Sequence, residues 1–432
     1  MPFSEAEIEE EQTHFANVIA TFRQYARYSL AANNRRRKDY FTLPIEDREL
    51  LDSLKYKEKL AAVDHAILVN AQFINEIVAN PEIFGDDVDS EEEGQAKGMQ
   101  NQEDSVPNSI IKDSPCFIGH CHPEDNAHPH GHSHSSPLEG HSHSYEGPSR
   151  NLSSAVSGRA RYRPNDHDME KLRSTLKQLV RDWSGEGIEE REATYTPMKS
   201  ALLEHFKEIP QTERGNLRVL VPGAGLGRLA WDVAKLGFTC QGNEFSHYML
   251  LASFFILNRT DEIEKHVFYP YVHSFSNLPD NTAMLRPIAI PDVLPSSLPE
   301  GSNFSLVAGD FEEIYGSDDH DGESQAGQWD AIMTCFFIDT AKNVVNYLRI
   351  IHRILAPGGI WINLGPLLWH WENNTTNDPS IELTLEEVKD LARKMGFHIS
   401  NERTIDTTYT NNTQSMLGYV YHTAFWTATR AA

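Results

Sequence analysis

The sequence predicts an α/β protein, with a mostly parallel sheet, an antiparallel strand at its C-terminal end and a helical region before it. From residue 167 onward, short apolar runs alternate with amphipathic segments, which is typical of strands connected by helices. A glycine-rich turn, VPGAGLGR at 221–228, joins the first strand to a helix. The last segment, 418–429, alternates polar and apolar residues in the manner of an antiparallel strand.

Each element of this pattern has its own signal. The helix 167–184 is amphipathic, and Gly237 ends the helix that follows the glycine turn. A piece rich in Pro and Asn, at 263–303, interrupts the alternation and is expected to be irregular. The predicted elements after residue 184 are, in order, strand 217–225 with its turn, helix 226–237, strand 238–244, helix 245–258, strands 304–311 and 329–338, helix 341–355, strand 358–368, helix 384–396 and two closing strands.

The composition divides the chain into three regions. Residues 1–83 form an N-terminal helical region, because apolar side chains recur every three or four residues and Pro44 and Pro81 interrupt them. Residues 84–165 are acidic and His-rich with few large apolar side chains, so we expect a disordered linker or insertion. Residues 166–432 form the α/β domain. The N-terminal helices fit a homodimer interface and packing within one chain equally well.

The charge and the cysteines limit the classes of partner and compartment. A formal net charge of −25 argues against nucleic acid or an anionic membrane as the main partner. Four scattered cysteines do not suggest a disulfide framework, which fits a reducing compartment. The N-terminus lacks the basic and apolar regions of a secretion signal, and no run reaches the roughly 18 apolar residues of a membrane span. We therefore predict a cytosolic protein, with the nucleus as a second location.

The His-rich stretch at 119–144 carries eight of the 20 histidines of the chain. Neutral imidazole is a good ligand for Zn²⁺ or Ni²⁺, so adventitious metal binding is one interpretation. The spacing is repetitive, however, and paired Cys-x-x-Cys units are missing. We favour a solvated low-complexity tract and predict no specific metal site.

The glycine turn indicates a nucleotide-binding end of the sheet. Gly223, Gly225 and Gly227 let the backbone approach a ligand closely, and the helix that follows offers free N–H groups. The next strand ends in Glu244, where a carboxylate can accept hydrogen bonds from both ribose hydroxyls of an adenosine. A glycine turn alone is weak support, but the acid at the next strand end makes nucleotide binding the favoured interpretation.

The third strand ends in GDF, which places Asp310 to bind an adenine amino group and Phe311 to pack on the ring. NAD(P) and S-adenosylmethionine are the two candidate ligands. The turn has the form G-x-G-x-G and not G-x-G-x-x-G, and ILAPGG (354–359) resembles the turn before the fifth strand of class I methyltransferases. Together with the antiparallel last strand, this predicts a class I methyltransferase with a Rossmann-like sheet and S-adenosylmethionine as cofactor.

Long strings of the chain resemble one family, the carnosine N-methyltransferases. The resemblance extends from about residue 165 to the end, more loosely includes the N-terminal helices, and has no counterpart for residues 84–160. The strings are STLKQLVRDWS (174–184), VPGAGLGRLAWDVAKLGFTCQGNEFS (221–246), EGSNFSLVAGDFEEIY (300–315), TCFFIDTAKNV (334–344) and GGIWINLGPLLWHW (358–371).

The resemblance implies transfer of a methyl group from S-adenosylmethionine to the imidazole Nπ of the dipeptide carnosine, which gives anserine. The positions that match cofactor-binding residues of the family are Gln178, Arg181, Gly223, Gly225, Glu244, Asp310, Phe311 and Cys335. The positions that match dipeptide-binding residues are Asp339, His370 and Tyr421, with Tyr409 as a weaker candidate. Other histidine-containing peptides or a protein histidine are alternative acceptors, and a non-catalytic metal-binding protein is a remote alternative.

Several of these residues also have an ordinary structural interpretation. Arg181 could be a surface cation, and Cys335 a small apolar wall residue without a chemical role. Asp339 could be the N-cap of the helix that follows it. His370 could be a core histidine between two tryptophans. His370 follows the carboxyl end of its strand, and the family resemblance assigns it to the substrate site. We therefore predict that His370 accepts or removes the proton of the substrate ring and that Asp339 anchors the substrate.

Overall fold

The computed structural model describes residues 5–80, 162–316, 324–375 and 378–431. The acidic and His-rich region predicted at 84–165 lies outside these residues, apart from 162–165. No helix in the described ranges is both long and apolar enough to cross a membrane.

Three helices form the N-terminal part: α1 (Glu5–Thr42), α2 (Ile45–Ser53) and α3 (Tyr56–Ile77). Their apolar faces, with Phe22 and Ile74, belong to the same apolar core as the main sheet. A buried polar contact fixes the docking, because Asn70 donates to the hydroxyl of Tyr25 and to the carbonyl of Tyr269, both over 2.9 Å. The helices predicted for this part of the chain are therefore present and pack on the α/β domain.

The strands are β1 (Arg218–Pro222), β2 (Thr239–Glu244), β3 (His266–Phe268), β4 (Ile288–Ile290), β5 (Phe304–Ala308), β6 (Trp329–Cys335), β7 (Leu355–Gly365), β8 (Phe397–Thr407) and β9 (Tyr421–Arg430). Seven of them form one sheet in the order β5-β2-β1-β6-β7-β9-β8. Pairing is parallel from β5 to β7, whereas β9 runs antiparallel to both of its neighbours. The predicted mostly parallel sheet with one reversed C-terminal strand is confirmed.

Eight further α-helices lie in the described parts of the chain: α4 (Asp166–Trp183), α5 (Ile188–His205), α6 (Arg228–Lys235), α7 (His247–Arg259), α8 (Thr282–Leu285), α9 (Phe311–Gly316), α10 (Val344–Ile354) and α11 (Leu385–Lys394). They cover both faces of the sheet. Successive residues of β1 show this, since Val219 and Val221 lie in one apolar core and Leu220 in the other. A strand buried on both faces is continuously apolar, as this one is.

The structure corrects some predicted boundaries. The piece at 263–303, expected to be irregular, contains helix α8 and the antiparallel pair β3–β4, with His266 opposite Ile290. Helix α10 begins three residues later than predicted, because the side chain of Asn343 accepts a hydrogen bond from the N–H of Val345 and caps it. The last strand begins at Tyr421 and not at 418.

Candidate active site

The carboxyl ends of the parallel strands open onto one cavity, in the position expected for ligands of an open α/β sheet. The structure brings together at this cavity all eight residues predicted to bind a cofactor. They come from the end of α4 (Gln178, Arg181), the turn after β1 (Gly223, Gly225), the end of β2 (Glu244), the turn after β5 with the start of α9 (Asp310, Phe311) and the end of β6 (Cys335).

The glycine turn is held against the acid of the next strand. Gly223 and Gly225 have positive φ angles of 63° and 55°, a region that side chains disfavour. A Cβ atom on Gly223 would lie 2.6 Å from the ring of Phe337. The N–H of Gly225 donates to Oε2 of Glu244 over 2.8 Å, so the turn and the carboxylate hold each other in place.

Glu244 is buried and its other carboxylate oxygen is also engaged. Oε1 accepts hydrogen bonds from the N–H groups of Phe245 (3.0 Å) and Ser246 (2.9 Å). These contacts fix the orientation of the carboxylate at the cavity wall.

Asp310 and Phe311 form the next part of the wall. Oδ1 of Asp310 accepts from the N–H groups of Glu312 (2.7 Å) and Glu313 (3.2 Å), so this side chain caps α9. Phe311 is buried against Phe337, with ring centroids 5.3 Å apart in an edge-to-face arrangement. The cavity therefore has a rigid aromatic surface beside an oriented carboxylate.

Arg181 is only 5% exposed, so the interpretation as a surface cation is wrong. Its Nη1 donates to Asp182 over 3.0 Å and to the hydroxyl of Tyr195 over 2.6 Å. Its Nε lies 2.8 Å from Oε1 of Glu190. Its Nη2 is buried without a hydrogen-bond partner among the described residues. A buried guanidinium with an unsatisfied donor, lining a cavity, fits an anionic ligand group.

Sequence reasoning missed three of these neighbours. Asp182 lies beside Arg181 and accepts from Gln178 over 3.2 Å, so it too lines the cavity. Glu190 and Tyr195 lie on α5, a helix that was not predicted. The four-residue spacing of Gln178 and Asp182 on a helix could have indicated Asp182.

Cys335 lies at the end of β6 next to Arg181. Burial raises the pKa of its thiol to about 11, and the charge of Arg181 opposes this only in part. The thiol is therefore neutral near pH 7, which fits a wall residue.

A smaller cavity adjoins the first and collects all four residues predicted to bind a substrate. It is lined by Phe336, Asp339, Pro366, His370, Tyr409 and Tyr421. Phe336, His370 and Tyr409 line both cavities, so the two spaces meet at these side chains. Phe336 has a positive φ of 53°, rare for a side chain of this size, and such backbone strain is concentrated at functional sites.

Asp339 is buried in a 3₁₀ turn after β6, where it does not cap a helix; the N-cap interpretation is wrong, since Asn343 has that role. Its Oδ2 accepts from the N–H of Leu368 over 2.9 Å. Its carbonyl oxygen accepts from the N–H of His370 over 3.0 Å. Burial raises the pKa of Asp339 to about 7, although the Leu368 N–H opposes the rise.

The two tryptophans beside His370 hold its backbone. The indole N–H of Trp369 donates to the carbonyl of Leu383 over 3.2 Å, and that of Trp371 to the carbonyl of Thr340 over 3.1 Å. Both indoles are buried, whereas His370 lines the cavities. The interpretation of His370 as a plain core histidine does not account for this position.

Two tyrosines complete the smaller cavity. The ring of Phe336 contacts Tyr409 (centroids 4.7 Å apart) and meets Tyr421 edge to face (5.8 Å). Burial, followed by the charge of Asp339, raises the pKa of Tyr421. Tyr419 is 44% exposed and is not among the described residues that line either cavity. Of these two tyrosines, Tyr421 is thus the one placed at the cavity wall.

Metal ligands are not gathered in the described ranges: no group of three or more His, Cys, Asp or Glu side chains there could hold a metal ion. The His-rich stretch at 119–144 lies outside them.

A seven-stranded sheet with this order and one reversed strand, with a nucleotide-type cavity at its carboxyl edge, is the architecture of a class I methyltransferase. The comparison with known families is more specific. A family model described as carnosine N-methyltransferase matches residues 159–432, and the chain belongs to that family.

Curated relatives agree with this assignment. Carnosine N-methyltransferase of Rattus norvegicus is 52% identical over 255 residues, which are 59% of this chain and 61% of the relative. That of Schizosaccharomyces pombe is 46% identical over 267 residues, 60% of this chain and 70% of the relative. The matched part thus spans less than two thirds of the rat protein.

Solved structures are more distant. Phosphoethanolamine N-methyltransferase 2 of Haemonchus contortus, in complex with S-adenosyl-L-methionine, is 14% identical and covers 60% of each chain with a TM-score of 0.33. This likeness is too low to carry an argument.

Proposed function

We propose that this protein transfers a methyl group from S-adenosylmethionine to the imidazole Nπ of carnosine, forming anserine and S-adenosylhomocysteine. The observation that carries the proposal is the junction of two cavities. One has the residues of a nucleotide site, and the other presents Asp339 and His370, joined through their backbones. The names of the curated relatives support the same acceptor.

The residues of the larger cavity fit the cofactor. The unsatisfied Nη2 of Arg181 would bind its carboxylate, beside the backbone of Gly223 at the same cavity wall. Glu244 would bind the ribose, with Asp310 and Phe311 at the adenine. When bound, the cofactor supplies an electrophilic methyl group on a sulfonium.

The protein then has to position the imidazole and control its proton. A free imidazole has a pKa near 6.5 and is largely neutral near pH 7, with its proton on either nitrogen. The reactive lone pair must be on Nπ, so the proton must be on Nτ. An acceptor that faces Nτ selects this tautomer and stabilises the cation that forms as the methyl group arrives. Positioning supplies most of the rate.

We assign the acceptor or base role to His370 and the anchoring role to Asp339, which would hold the ring or the charged amine of the dipeptide. Asp339 suits this role because Leu368 and His370 fix its backbone and one carboxylate oxygen. Tyr421 and Tyr409 would form the walls around the ring. If His370→Ala retains the native kcat while Asp339→Ala loses it, the two roles have to be exchanged.

The deciding experiment is a methylation assay with carnosine, followed by fragmentation of the product to place the methyl group on Nπ or Nτ. Parallel assays with homocarnosine, Gly-His and a histidine-containing protein separate the alternative acceptors. Calorimetry with S-adenosylmethionine tests the class itself, since a chain that does not bind the cofactor is not a methyltransferase of this kind.

We also propose a homodimer through the N-terminal helices and a cytosolic location, with the nucleus as a second one. Helix α2 has no buried residues, and exposed apolar side chains cluster around it: Phe41, Ile45, Leu50 and Leu54. Light scattering of the native chain and of Leu50→Glu, with Ile263→Glu as an exposed control outside the N-terminal helices, tests the dimer. Cell fractionation tests the location.

A further inference from the structure

The C-terminal end of α4 has an unusual set of partners. The last carbonyls of a helix have no partner within it and are commonly left to water. Here Arg191 of α5 donates to the carbonyls of residues 181 and 184 over 2.6 and 2.9 Å. Arg228, at the start of α6, donates to the carbonyl of residue 182 over 2.7 Å. The N–H of Asp292 donates to the carbonyl of residue 183 over 2.8 Å. All four carbonyls are thus bound by groups that lie outside α4.

The carboxylate of Asp292 joins the two arginines. Its Oδ2 accepts from Nη2 of Arg191 over 2.5 Å, and its Oδ1 accepts from Nη1 of Arg228 over 2.6 Å. Both guanidiniums are buried, and burial, followed by the nearby charge of Arg228, lowers the pKa of Arg191 while Asp292 opposes this. Without the anion, two desolvated cations would repel each other at the end of α4.

This end of α4 also carries a wall of the cofactor cavity. Gln178, Arg181 and Asp182 project into the cavity from the same two turns whose carbonyls the arginines hold. Asp292 is not among the described residues that line that cavity. Asp292 can thus affect the cofactor only through the residues that it holds, and Arg191, Arg228 and its own N–H all bind the end of α4.

We propose that Asp292 is a positioning residue for cofactor binding: through Arg191 and Arg228 it fixes the end of α4, and thereby the guanidinium of Arg181 that takes the cofactor carboxylate. The inference rests on the proposed function. It also gives a role to the piece at 263–303, because Asp292 belongs to it and lies two residues beyond the end of β4.

The test is the affinity for S-adenosylhomocysteine, measured by calorimetry on the full chain. Asp292→Asn keeps the shape of the side chain but removes its charge. We expect S-adenosylhomocysteine to bind about tenfold more weakly, which corresponds to a loss of roughly 1.4 kcal/mol in binding free energy. Asp261→Asn, which removes an exposed carboxylate paired only with Lys265 at the surface, should bind as the native chain does. At saturating cofactor, kcat and the KM for carnosine should change by less than about twofold, because chemistry and acceptor contacts are untouched.

A double-mutant cycle separates positioning from a general loss of structure. If Asp292 acts through Arg181, then Asp292→Asn should cost little further affinity in an Arg181→Lys background. Equal losses in both backgrounds, or native affinity of folded Asp292→Asn, would overturn the proposal. If circular dichroism shows that Asp292→Asn is unfolded, Arg228→Lys, which keeps the charge but not the forked contact, takes its place with the same expected weakening. A native chain that does not bind S-adenosylhomocysteine refutes the proposed function instead.

Discussion

The N–H of His370 donates to the carbonyl oxygen of Asp339 over 3.0 Å. Two residues 31 positions apart in the chain are thereby linked at the carboxyl edge of neighbouring parallel strands, β6 and β7. The side-chain oxygen of Asp339 adds a second link, to the N–H of Leu368. The turn after one strand and the loop after the next are thus held together by two hydrogen bonds, which suits a pocket that holds an imidazole in a fixed orientation.

Asp339→Asn should lower kcat/KM for carnosine by about 10- to 100-fold, the value of a hydrogen bond to a charged group. Because the pKa of Asp339 is raised to about 7 by burial, ionised Asp339 is lost as the pH falls below that value. The imidazole of the substrate also protonates in this range. The native log kcat/KM profile should therefore approach a slope of two at low pH, and the variant a slope of one. If the variant keeps a slope of two, the second ionisation belongs to an enzyme group other than Asp339.

The same substitution should stabilise the ligand-free protein above neutral pH. Between 3.8 and about 7 the folded chain holds a proton on Asp339 that the unfolded chain releases. The stability from the neutral carboxyl is therefore complete below about pH 4 and is lost as the pH rises through about 7. The gain in free energy of unfolding from Asp339→Asn, followed as the difference in Tm, should grow over this window and then level off at no more than about 4 kcal/mol. A stability gain that does not change with pH would contradict a raised pKa for buried Asp339.

Arg181→Lys should weaken the binding of S-adenosylmethionine by about tenfold or more, because a lysine cannot replace the forked contact to a carboxylate. Arg173→Lys is a matched control on the same helix, since Arg173 lies 3.7 Å from Glu170 and does not line the cavity. Calorimetry with both variants measures the difference. Equal affinities would mean that the unsatisfied Nη2 of Arg181 does not serve the cofactor.

Alanine substitutions in the glycine turn should have unequal effects. Both Gly223→Ala and Gly225→Ala place a side chain at positive φ, at a cost of about 1–2 kcal/mol. Only the Cβ at 223 also collides with Phe337, whereas the nearest atom to a Cβ at 225 is Nε2 of Gln178, 3.7 Å away. Thermal unfolding should therefore show the larger loss for Gly223→Ala. The reverse order would show that Phe337 moves at little cost.

Much of the cofactor site was predictable because a parallel sheet places the ends of its strands along one edge. Glu244 ends β2 and Asp310 lies two residues beyond β5, so their shared location followed from the pattern of strands. Cys335 was assigned through the family resemblance, because its strand was predicted to continue to residue 338. The substrate residues needed the family resemblance. Nothing in the local sequence shows that the loop after β7 brings His370 to Asp339.

Helix α5 and Asp292 have no local sequence pattern that would predict their place in the structure. Helix α5 has its apolar residues spread around the axis with Pro197 inside it, so it lacks the single apolar face that predicts a helix. Glu190 and Tyr195 were missed with it. Asp292 lies in a Pro-rich piece, and its arginine partners are 101 and 64 positions away. Contacts of such separation depend on the folded geometry and leave no local pattern.

The reversed strand β9 has a consequence for how this protein can vary. Because β9 runs antiparallel to β7, its first residue, Tyr421, lies at the edge where the parallel strands finish. The segment between β8 and β9, which carries Tyr409, therefore closes over the acceptor pocket and not over the opposite end of the sheet. Insertions or deletions between residues 410 and 420 would reshape the entrance for the acceptor, while the sheet stayed as it is.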